Sequence, residues 1–244
     1  MSRLLFFILL IYINFSVTAW AKDSTCKVEP PTLQVCLNSA SKGDSEAQYT
    51  IGYFYMKGIE VPQNYATAMK WFLNAANQGH IKALNSIGYF YSNGFGIKQD
   101  KQKAMEWYVK AAELGDSSAQ NNLGMIYDLG EIVPQDYQKA MEWYLKAAKQ
   151  GLSTAQNNIG FLYRNGYGVS QDYQKAMKWY LKAAEGVSPA ARFNIGYLYQ
   201  NGLGVEKDER KALEWYQKAL EADQNFTAAE LAVKKLTKKL NQRK

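Results

Sequence analysis

The chain contains one histidine, His80, and two cysteines, Cys26 and Cys36, among its 244 residues. Two cysteines do not complete the four-ligand set of a closed zinc site, and the histidine is distant from them in sequence. No glycine-rich phosphate loop follows a strand, and no Ser-x-x-Lys occurs with matching partner motifs. The sequence therefore predicts no metal, no cofactor and no enzymatic activity, and His80 is expected to be an ordinary exposed residue of a turn.

Broad basic character is also missing, although the formal net charge is +7. Residues 227–244 contain six positive side chains and only Glu230 as a negative one, so the rest of the chain is nearly neutral. This local excess argues against nucleic-acid binding. Residues 227–244 are predicted to form a basic capping helix with an apolar stripe at Ala229, Ala232, Val233, Leu236 and Leu240. A weak contact of this helix with an anionic membrane is the alternative.

A 36-residue repeat is the main feature that is present. One tryptophan, one alanine and two glycines recur at that interval. They lie at Trp71, Trp107, Trp143, Trp179 and Trp215; at Ala47, Ala83, Ala119, Ala155 and Ala191; at Gly52, Gly88, Gly124, Gly160 and Gly196; and at Gly58, Gly94, Gly130, Gly166 and Gly202. A fixed period between about 20 and 50 residues indicates units that bury their apolar faces by stacking. We expect one cooperative domain.

Each repeat is predicted to contain two helices. Small or apolar residues at offsets 0, +4, +5 and +8 from the recurring alanine predict the first helix, and the recurring glycine of the next turn ends it. An N-cap then precedes the second helix, at Asn64, Asp100, Asp136, Asp172 and Asp208. Tryptophan and the following aromatic residue of the second helix are expected to fill the space between units.

Three repeats depart from the pattern. The first and third lack the second loop glycine, and in the fourth Gly186 arrives one residue early and is followed by Pro189. These departures predict local changes of loop shape without loss of the fold.

The pattern Gly-x-Gly-Val-x-x-Asp-Tyr-x-Lys-Ala-x-x-Trp-Tyr-x-Lys-Ala-Ala-x-x-Gly resembles the Sel-one-like repeat, a relative of the tetratricopeptide repeat. The resemblance covers residues 47–226. It implies an all-α, right-handed α-solenoid of five helix-turn-helix repeats, with capping helices at both ends, and an adaptor or scaffold role in protein complexes. It does not identify the partner.

The N-terminal segment predicts export. Residues 1–21 combine Arg3, an apolar run from Leu4 to Ile13 and an Ala19-x-Ala21 ending, which together are typical of a cleaved signal peptide. An uncleaved membrane anchor is the alternative. Cleavage after Ala21 would place the chain in a bacterial periplasm or outside the cell, while a eukaryotic secretory pathway stays open. Residues 22–46 are then expected to form a cap and half-repeat, stabilised by a disulfide between Cys26 and Cys36.

The predicted binding surface lies on the side of the first helices opposite to offsets 0, +4 and +8, which is centred near +2, +6 and +9. The predicted partner-binding residues there are Tyr49, Tyr53, Asn85, Tyr89, Asn121, Met125, Asn157, Phe161, Arg164, Phe193 and Tyr197. Aromatic rings beside amides suit an extended peptide or a partner helix. The alternative is that the aromatics pack against neighbouring helices and have a structural role.

The sequence thus predicts an exported adaptor that binds a peptide or a partner protein on this inner helical face. The alternatives are a cell-wall-directed hydrolase, β-lactamase-like or acting on peptidoglycan, and a glycan-binding module.

Overall fold

The computed structural model describes residues 32–242, and the regular secondary structure of this range is α-helical. Its helices are α1 (Leu33–Ala40), α2 (Ser45–Lys57), α3 (Tyr65–Asn77), α4 (Ile81–Asn93), α5 (Lys101–Glu113), α6 (Ser117–Leu129), α7 (Tyr137–Lys149), α8 (Ser153–Asn165), α9 (Tyr173–Glu185), α10 (Pro189–Asn201), α11 (Glu209–Ala222) and α12 (Thr227–Asn241). The predicted signal peptide and Cys26 lie outside the described residues, so export and the disulfide stay predictions. None of the described helices is long and apolar enough to cross a membrane.

The helices alternate as the repeat predicts, so that α2, α4, α6, α8 and α10 are first helices and α3, α5, α7, α9 and α11 are second helices. The chain divides between Leu114 and Gly115 into two compact units. Unit one contains α1 to α5, and unit two contains α6 to α12. The fold class is all-α, of the solenoid type.

The predicted N-caps of the second helices are confirmed. Asp136 Oδ1, for example, accepts a hydrogen bond of 2.9 Å from the backbone N–H of Lys139. The capping carboxylates of Asp136, Asp172 and Asp208 have pKa values below their usual range, first because they accept backbone N–H groups. Asn64 and Asp100 cap their helices in the same way.

Glycine ends every first helix in the left-handed conformation that the sequence predicts, with φ of 70° at Gly130. Two positions where the pattern departs from glycine keep this conformation. Glu60 takes the place of the second loop glycine with φ of 59°, and its carboxylate accepts a 2.8 Å hydrogen bond from the backbone N–H of Leu33. Val187 takes the place of the glycine between repeats four and five, with φ of 60°.

The core of each repeat is built around the aromatic residue that follows the tryptophan. Phe72, Tyr108, Tyr144, Tyr180 and Tyr216 are buried, whereas the five tryptophans are half-buried. The tryptophans therefore do not fill the core as completely as the sequence suggested. In four repeats a lysine ammonium lies over the indole ring, at 3.8 Å from the centroid for Lys146 and Trp143.

The two ends of the described chain are covered by additional helices. In unit one, Cys36 and Ala40 of α1 are buried with Ala47 and Ile51 of α2. In unit two, Leu236 of α12 is buried against the core of α11, and Val233 and Leu240 pack beside it. The basic C-terminal helix thus covers the end of unit two, and its lysines are exposed.

Candidate functional site

Within each unit, the first-helix face is the surface formed by offsets +2, +6 and +9 of its first helices together with the neighbouring offset +3. In unit two, amide side chains connect successive first helices across this face. Asn158 Nδ2 of α8 donates to Asn121 Oδ1 of α6 at 3.1 Å, and Asn194 Nδ2 of α10 donates to Asn157 Oδ1 of α8 at 2.9 Å. A polar ladder therefore runs across three first helices.

Arg164 contacts one end of this ladder, at Asn194. Its guanidinium carbon is 5.0 Å from the ring centroid of Phe161 and 5.2 Å from that of Tyr197, and Nη1 donates to Asn194 Oδ1 at 3.1 Å. Cation–π contacts and a hydrogen bond thus position the guanidinium. The arrangement offers further N–H donors of Arg164 beside amides and aromatic rings.

The predicted face residues differ in how much surface they expose. At offset +6, Tyr89 is 45% exposed and Met125 is 42% exposed, and Tyr197 is also exposed. Tyr53 and Phe161 at the same offset are half-buried. Offset +6 therefore supplies most of the apolar surface that a partner could contact.

Offset +2 is packed more tightly than the sequence suggested. Tyr49 stacks on His80 at 4.6 Å between ring centroids and also contacts Phe72 at 5.5 Å. Phe193 contacts Tyr216 at 5.1 Å and Phe226 at 5.4 Å. The rings of Tyr49 and Phe193 therefore fill space between helices. For these two aromatics, the contacts agree with the alternative that they pack against neighbouring helices and have a structural role.

The amides at offset +2 are also partly enclosed. Asn121 is buried, and its Nδ2 contacts Met125 Sδ at 3.6 Å, while Asn85 and Asn157 are half-buried. The first helices bury offset +7 in four of the five repeats, whereas the sequence pattern predicts that offset +8 is buried. This difference in helical phase turns offset +2 towards the core.

His80 is not the ordinary exposed turn residue that the sequence predicts. It caps α4, because its Nδ1 accepts from the backbone N–H of Ala83 at 3.1 Å, and its Nε2 lies 2.9 Å from Glu46 Oε2. Since Nδ1 accepts, the proton of the neutral ring is on Nε2, which donates to Glu46. His80 therefore replaces the aspartate or serine that caps the third and fifth first helices, Asp116 and Ser188.

The buried tyrosines of the second helices extend their hydroxyl groups towards offset +9. Tyr144 Oη donates to Asp128 Oδ2 at 3.1 Å, and Tyr216 Oη donates to Gln200 Oε1 at 2.6 Å. Burial raises the pKa of Tyr216 to about 12 and raises the pKa of Tyr144 well above its usual range. Burial also raises the pKa of the Asp128 carboxyl, and the hydrogen bond from Tyr144 partly opposes this shift.

Sequence reasoning missed Asn158 and Asn194, which lie at offset +3 and complete the amide ladder. The consecutive pairs Asn121-Asn122 and Asn157-Asn158 were a signal for it, because two adjacent amides on one helix can reach a neighbour on either side. The helical phase alone selected offset +2 and excluded offset +3.

A cleft lies elsewhere in unit two. It is a cleft of about 600 Å³ lined by Leu181, Ala184, Glu185, Arg192, Trp215, Lys218 and Glu221. Its residues belong to α9, α10 and α11 and do not include the amide ladder. The cleft is therefore a separate candidate surface that a control can test.

Comparison with protein families finds the Sel1 repeat five times, at residues 45–80, 81–116, 117–152, 153–187 and 189–224. The shorter fourth match agrees with the early Gly186. Comparison with curated proteins finds no significant match.

Solved structures show similar chains. A Sel1 repeat protein from Oxalobacter formigenes is 31% identical, with 82% of this chain and 79% of that chain covered and a TM-score of 0.74. A protective antigen present in uropathogenic Escherichia coli strains is 38% identical over 78% of this chain, with a TM-score of 0.70. This chain spans only 41% of that antigen's length. A sel1 repeat protein from Klebsiella pneumoniae, 22% identical over 83% of this chain and 97% of that chain, has a TM-score of 0.57 and shows the same fold.

Proposed function

Because the chain belongs to the Sel1 repeat family, whose members are generally protein-interaction scaffolds, we propose that it is an exported adaptor that binds a partner polypeptide on the first-helix face. The observation that carries this proposal is the ladder of amides between successive first helices, with Met125 and Tyr197 exposed beside it. Amides satisfy the backbone groups of a bound peptide, and exposed aromatic and sulfur-containing side chains supply apolar contact area.

Export is part of the proposal and is supported by residues 1–21. N-terminal sequencing of the protein recovered from the periplasm or medium is expected to begin at Lys22. Recovery of a membrane-bound protein that retains residues 1–21 would show an uncleaved anchor. Partner capture is therefore designed with an envelope fraction as the source of partners.

The binding surface is tested with two matched double variants. Met125→Ser with Tyr197→Ser removes side chains of the first-helix face of unit two that are 42% and 39% exposed, and Leu145→Ser with Leu181→Ser removes second-helix side chains of the same unit that are 44% and 42% exposed. Exposed substitutions usually change stability by about 0.5 kcal/mol or less, so both variants are expected to fold.

Proteins captured by the wild-type chain are identified by mass spectrometry, and the affinity of each purified candidate is then measured by calorimetry. Truncation of aromatic binding residues typically costs about 2 kcal/mol or more, which is a loss of affinity of roughly 30-fold. We expect that loss for the first-helix variant only. Equal affinity of the first-helix variant and the wild type, or loss only in the Leu145 and Leu181 variant, would assign binding to another surface such as the cleft at Leu181.

A cell-wall hydrolase or a glycan-binding module is the alternative function, and no contact among residues 32–242 favours either over peptide binding. Turnover of peptidoglycan fragments or of a β-lactam by the purified protein would support the hydrolase. Saturable binding of the same fragments without turnover would support the glycan-binding module.

A further inference from the structure

The fourth repeat lacks the hydrogen bond that holds the buried tyrosine in its neighbours. In the third and fifth repeats, offset +9 supplies an acceptor to the tyrosine hydroxyl, Asp128 for Tyr144 and Gln200 for Tyr216. In the fourth repeat this offset is occupied by Arg164, whose guanidinium has donors only.

Tyr180 is consequently a buried donor without an acceptor. Its side chain is fully buried, and no atom of residues 32–242 forms a hydrogen bond with Tyr180 Oη. Its ring crosses α8 at Gly160, as the rings of Tyr144 and Tyr216 cross their first helices at Gly124 and Gly196. The hydroxyl is therefore directed at the turn of α8 that carries Arg164. A hydroxyl that is buried without an acceptor has lost its hydrogen bonds to water, so an incoming acceptor would be favoured there.

The charge of Arg164 is also uncompensated by any described carboxylate. Within residues 32–242 the guanidinium forms no salt bridge, and its one hydrogen bond is to Asn194 Oδ1 at 3.1 Å. The rings of Phe161 and Tyr197 both contact the guanidinium, with centroids at 5.0 and 5.2 Å from the guanidinium carbon. A planar guanidinium held in this way presents its free N–H groups to a planar group with two oxygen atoms.

We propose that Arg164 and Tyr180 Oη form a subsite for a carboxylate group of the partner polypeptide. This inference rests on the proposed function and assigns one chemical feature of its ligand. The carboxylate accepts from the guanidinium and from the tyrosine hydroxyl, so it compensates the charge and supplies the missing acceptor together. Because Oη is buried, the carboxylate reaches it with a shift of the Arg164 side chain, which is long and only half-buried.

The test is a nuclear magnetic resonance titration of the full chain with three peptide probes. The first is acetyl-Ala-Ala-Ala with a free C-terminal carboxylate, the second is acetyl-Ala-Asp-Ala-amide, and the third is the neutral acetyl-Ala-Asn-Ala-amide. We expect saturable shifts of the Arg164 Nε–H and Asn194 side-chain signals with at least one of the two carboxylate probes, and about tenfold weaker binding of the neutral probe. The stronger of the two carboxylate probes distinguishes a C-terminal from a side-chain carboxylate.

Two variants that each remove one positive charge are compared, one at the proposed subsite and one as the control. Arg164→Gln places a glutamine where the fifth repeat has Gln200, so it removes the charge and offers Tyr180 an acceptor while keeping the fold. Arg192→Gln removes an arginine whose Nη1 donates to the Lys218 carbonyl oxygen at 2.9 Å, away from the amide ladder. We expect about tenfold weaker carboxylate binding in Arg164→Gln and wild-type binding in Arg192→Gln.

Unchanged binding in Arg164→Gln, equal losses in both variants, or equal binding of the neutral probe would overturn the subsite. Tighter binding of inorganic phosphate than of either carboxylate probe would overturn the assignment to a carboxylate. These results leave the proposed function intact if partner capture still depends on Met125 and Tyr197, so the two failures are distinguishable. If capture depends on neither, the proposed function fails, whatever the probes do.

Discussion

The aromatic ring of Tyr144 lies directly on the backbone of Gly124. A Cβ built on residue 124 would be 2.5 Å from both Cδ1 and Cε1 of that ring, closer than real Cβ atoms approach other heavy atoms. The same contact recurs between Gly52 and Phe72 and between Gly196 and Tyr216, at 2.7 Å. Glycine at offset +5 is therefore required by the close approach of the two helices of one repeat.

The first prediction is that Gly124→Ala destabilises the protein although alanine is the better helix former. Helix propensity favours alanine by about 1 kcal/mol, but overpacking of a filled core costs about 1–3 kcal/mol. We expect a net loss of about 1 kcal/mol in the free energy of unfolding by denaturant.

The Tyr144→Leu background provides the control, because it removes the ring that an alanine Cβ would contact. There the same Gly124→Ala change is expected to be neutral or stabilising. A higher unfolding midpoint of Gly124→Ala in the wild-type background would contradict the packing argument.

The second prediction concerns the two adjacent aromatics of α7. Tyr144 is fully buried, whereas Trp143 is half-buried under the Lys146 ammonium. Large buried aromatics replaced by alanine typically cost about 3–5 kcal/mol, and we expect that loss for Tyr144→Ala. Trp143→Ala should cost clearly less, because part of its ring is already in water. Equal losses of stability in Tyr144→Ala and Trp143→Ala, measured by thermal and denaturant unfolding, would show that Trp143 contributes more to core packing than its exposed fraction indicates.

The burial of Tyr144 rather than Trp143 shows which features of the fold the 36-residue repeat predicts and which it does not. The period of 36 residues, the capping aspartates and the left-handed glycines predicted the helices and their ends, because these features depend on local chemistry. The periodicity could not decide whether Trp143 or Tyr144 is buried, because both recur with the same interval. That choice depends on how closely two helices approach, which Gly124 controls.

The third prediction is a pH dependence at Asp128. Burial raises the pKa of its carboxyl, so the native state binds this proton more tightly than the unfolded chain, and its ionisation lowers stability as the pH rises to neutral. Asp128→Asn cannot ionise and keeps an oxygen that accepts from Tyr144. We expect the variant to be more stable than the wild type at pH 7, with an advantage that shrinks as the pH falls towards the usual carboxyl range.

Asp136→Asn is the control of opposite sign. The carboxyl of Asp136 has a lowered pKa because it accepts backbone N–H groups at the start of α7, so its charge stabilises the native state at neutral pH and this contribution is lost in acid. The variant keeps a capping side chain and should be less stable than the wild type at pH 7 but not at low pH. Parallel pH profiles of both variants in denaturant unfolding would contradict the assignment.

The fourth prediction is that Val187→Gly stabilises the junction between repeats four and five. Val187 has φ of 60° and is exposed, and the left-handed region is unfavourable for a β-branched residue. The strain is about 1–2 kcal/mol, and glycine loses about 0.5–1 kcal/mol in chain entropy. We expect a gain of roughly 0.5–1 kcal/mol in unfolding free energy. Val187→Ala, which relieves branching and keeps the Cβ, should recover less, and a loss in Val187→Gly would show that this φ is not strained.

The candidate site was only partly predictable for a related reason. Offset +6 lies at the surface for Tyr89, Met125 and Tyr197, because its helical phase is far from the core. The sequence also contained the substitution of Arg164 for the acceptors Asp128 and Gln200. The consequence of this substitution depends on the Tyr180 hydroxyl of α9. The helical phase of α8 alone does not show which side chain of α9 is directed at Arg164.

The last prediction compares the hydroxyl groups of two buried tyrosines. Tyr216→Phe removes a 2.6 Å hydrogen bond to Gln200 and leaves that amide oxygen without its donor, which typically costs about 1 kcal/mol. Tyr180→Phe removes a buried hydroxyl that has no hydrogen-bond partner among the described residues, so it should leave the unfolding free energy unchanged or raise it. The two variants delete the same atom from equivalent positions of neighbouring repeats, so each is the control for the other in one set of denaturant curves. If Tyr180→Phe loses as much stability as Tyr216→Phe, the Tyr180 hydroxyl has an acceptor in solution, and the donor that we assign to the carboxylate is already satisfied in the unbound protein.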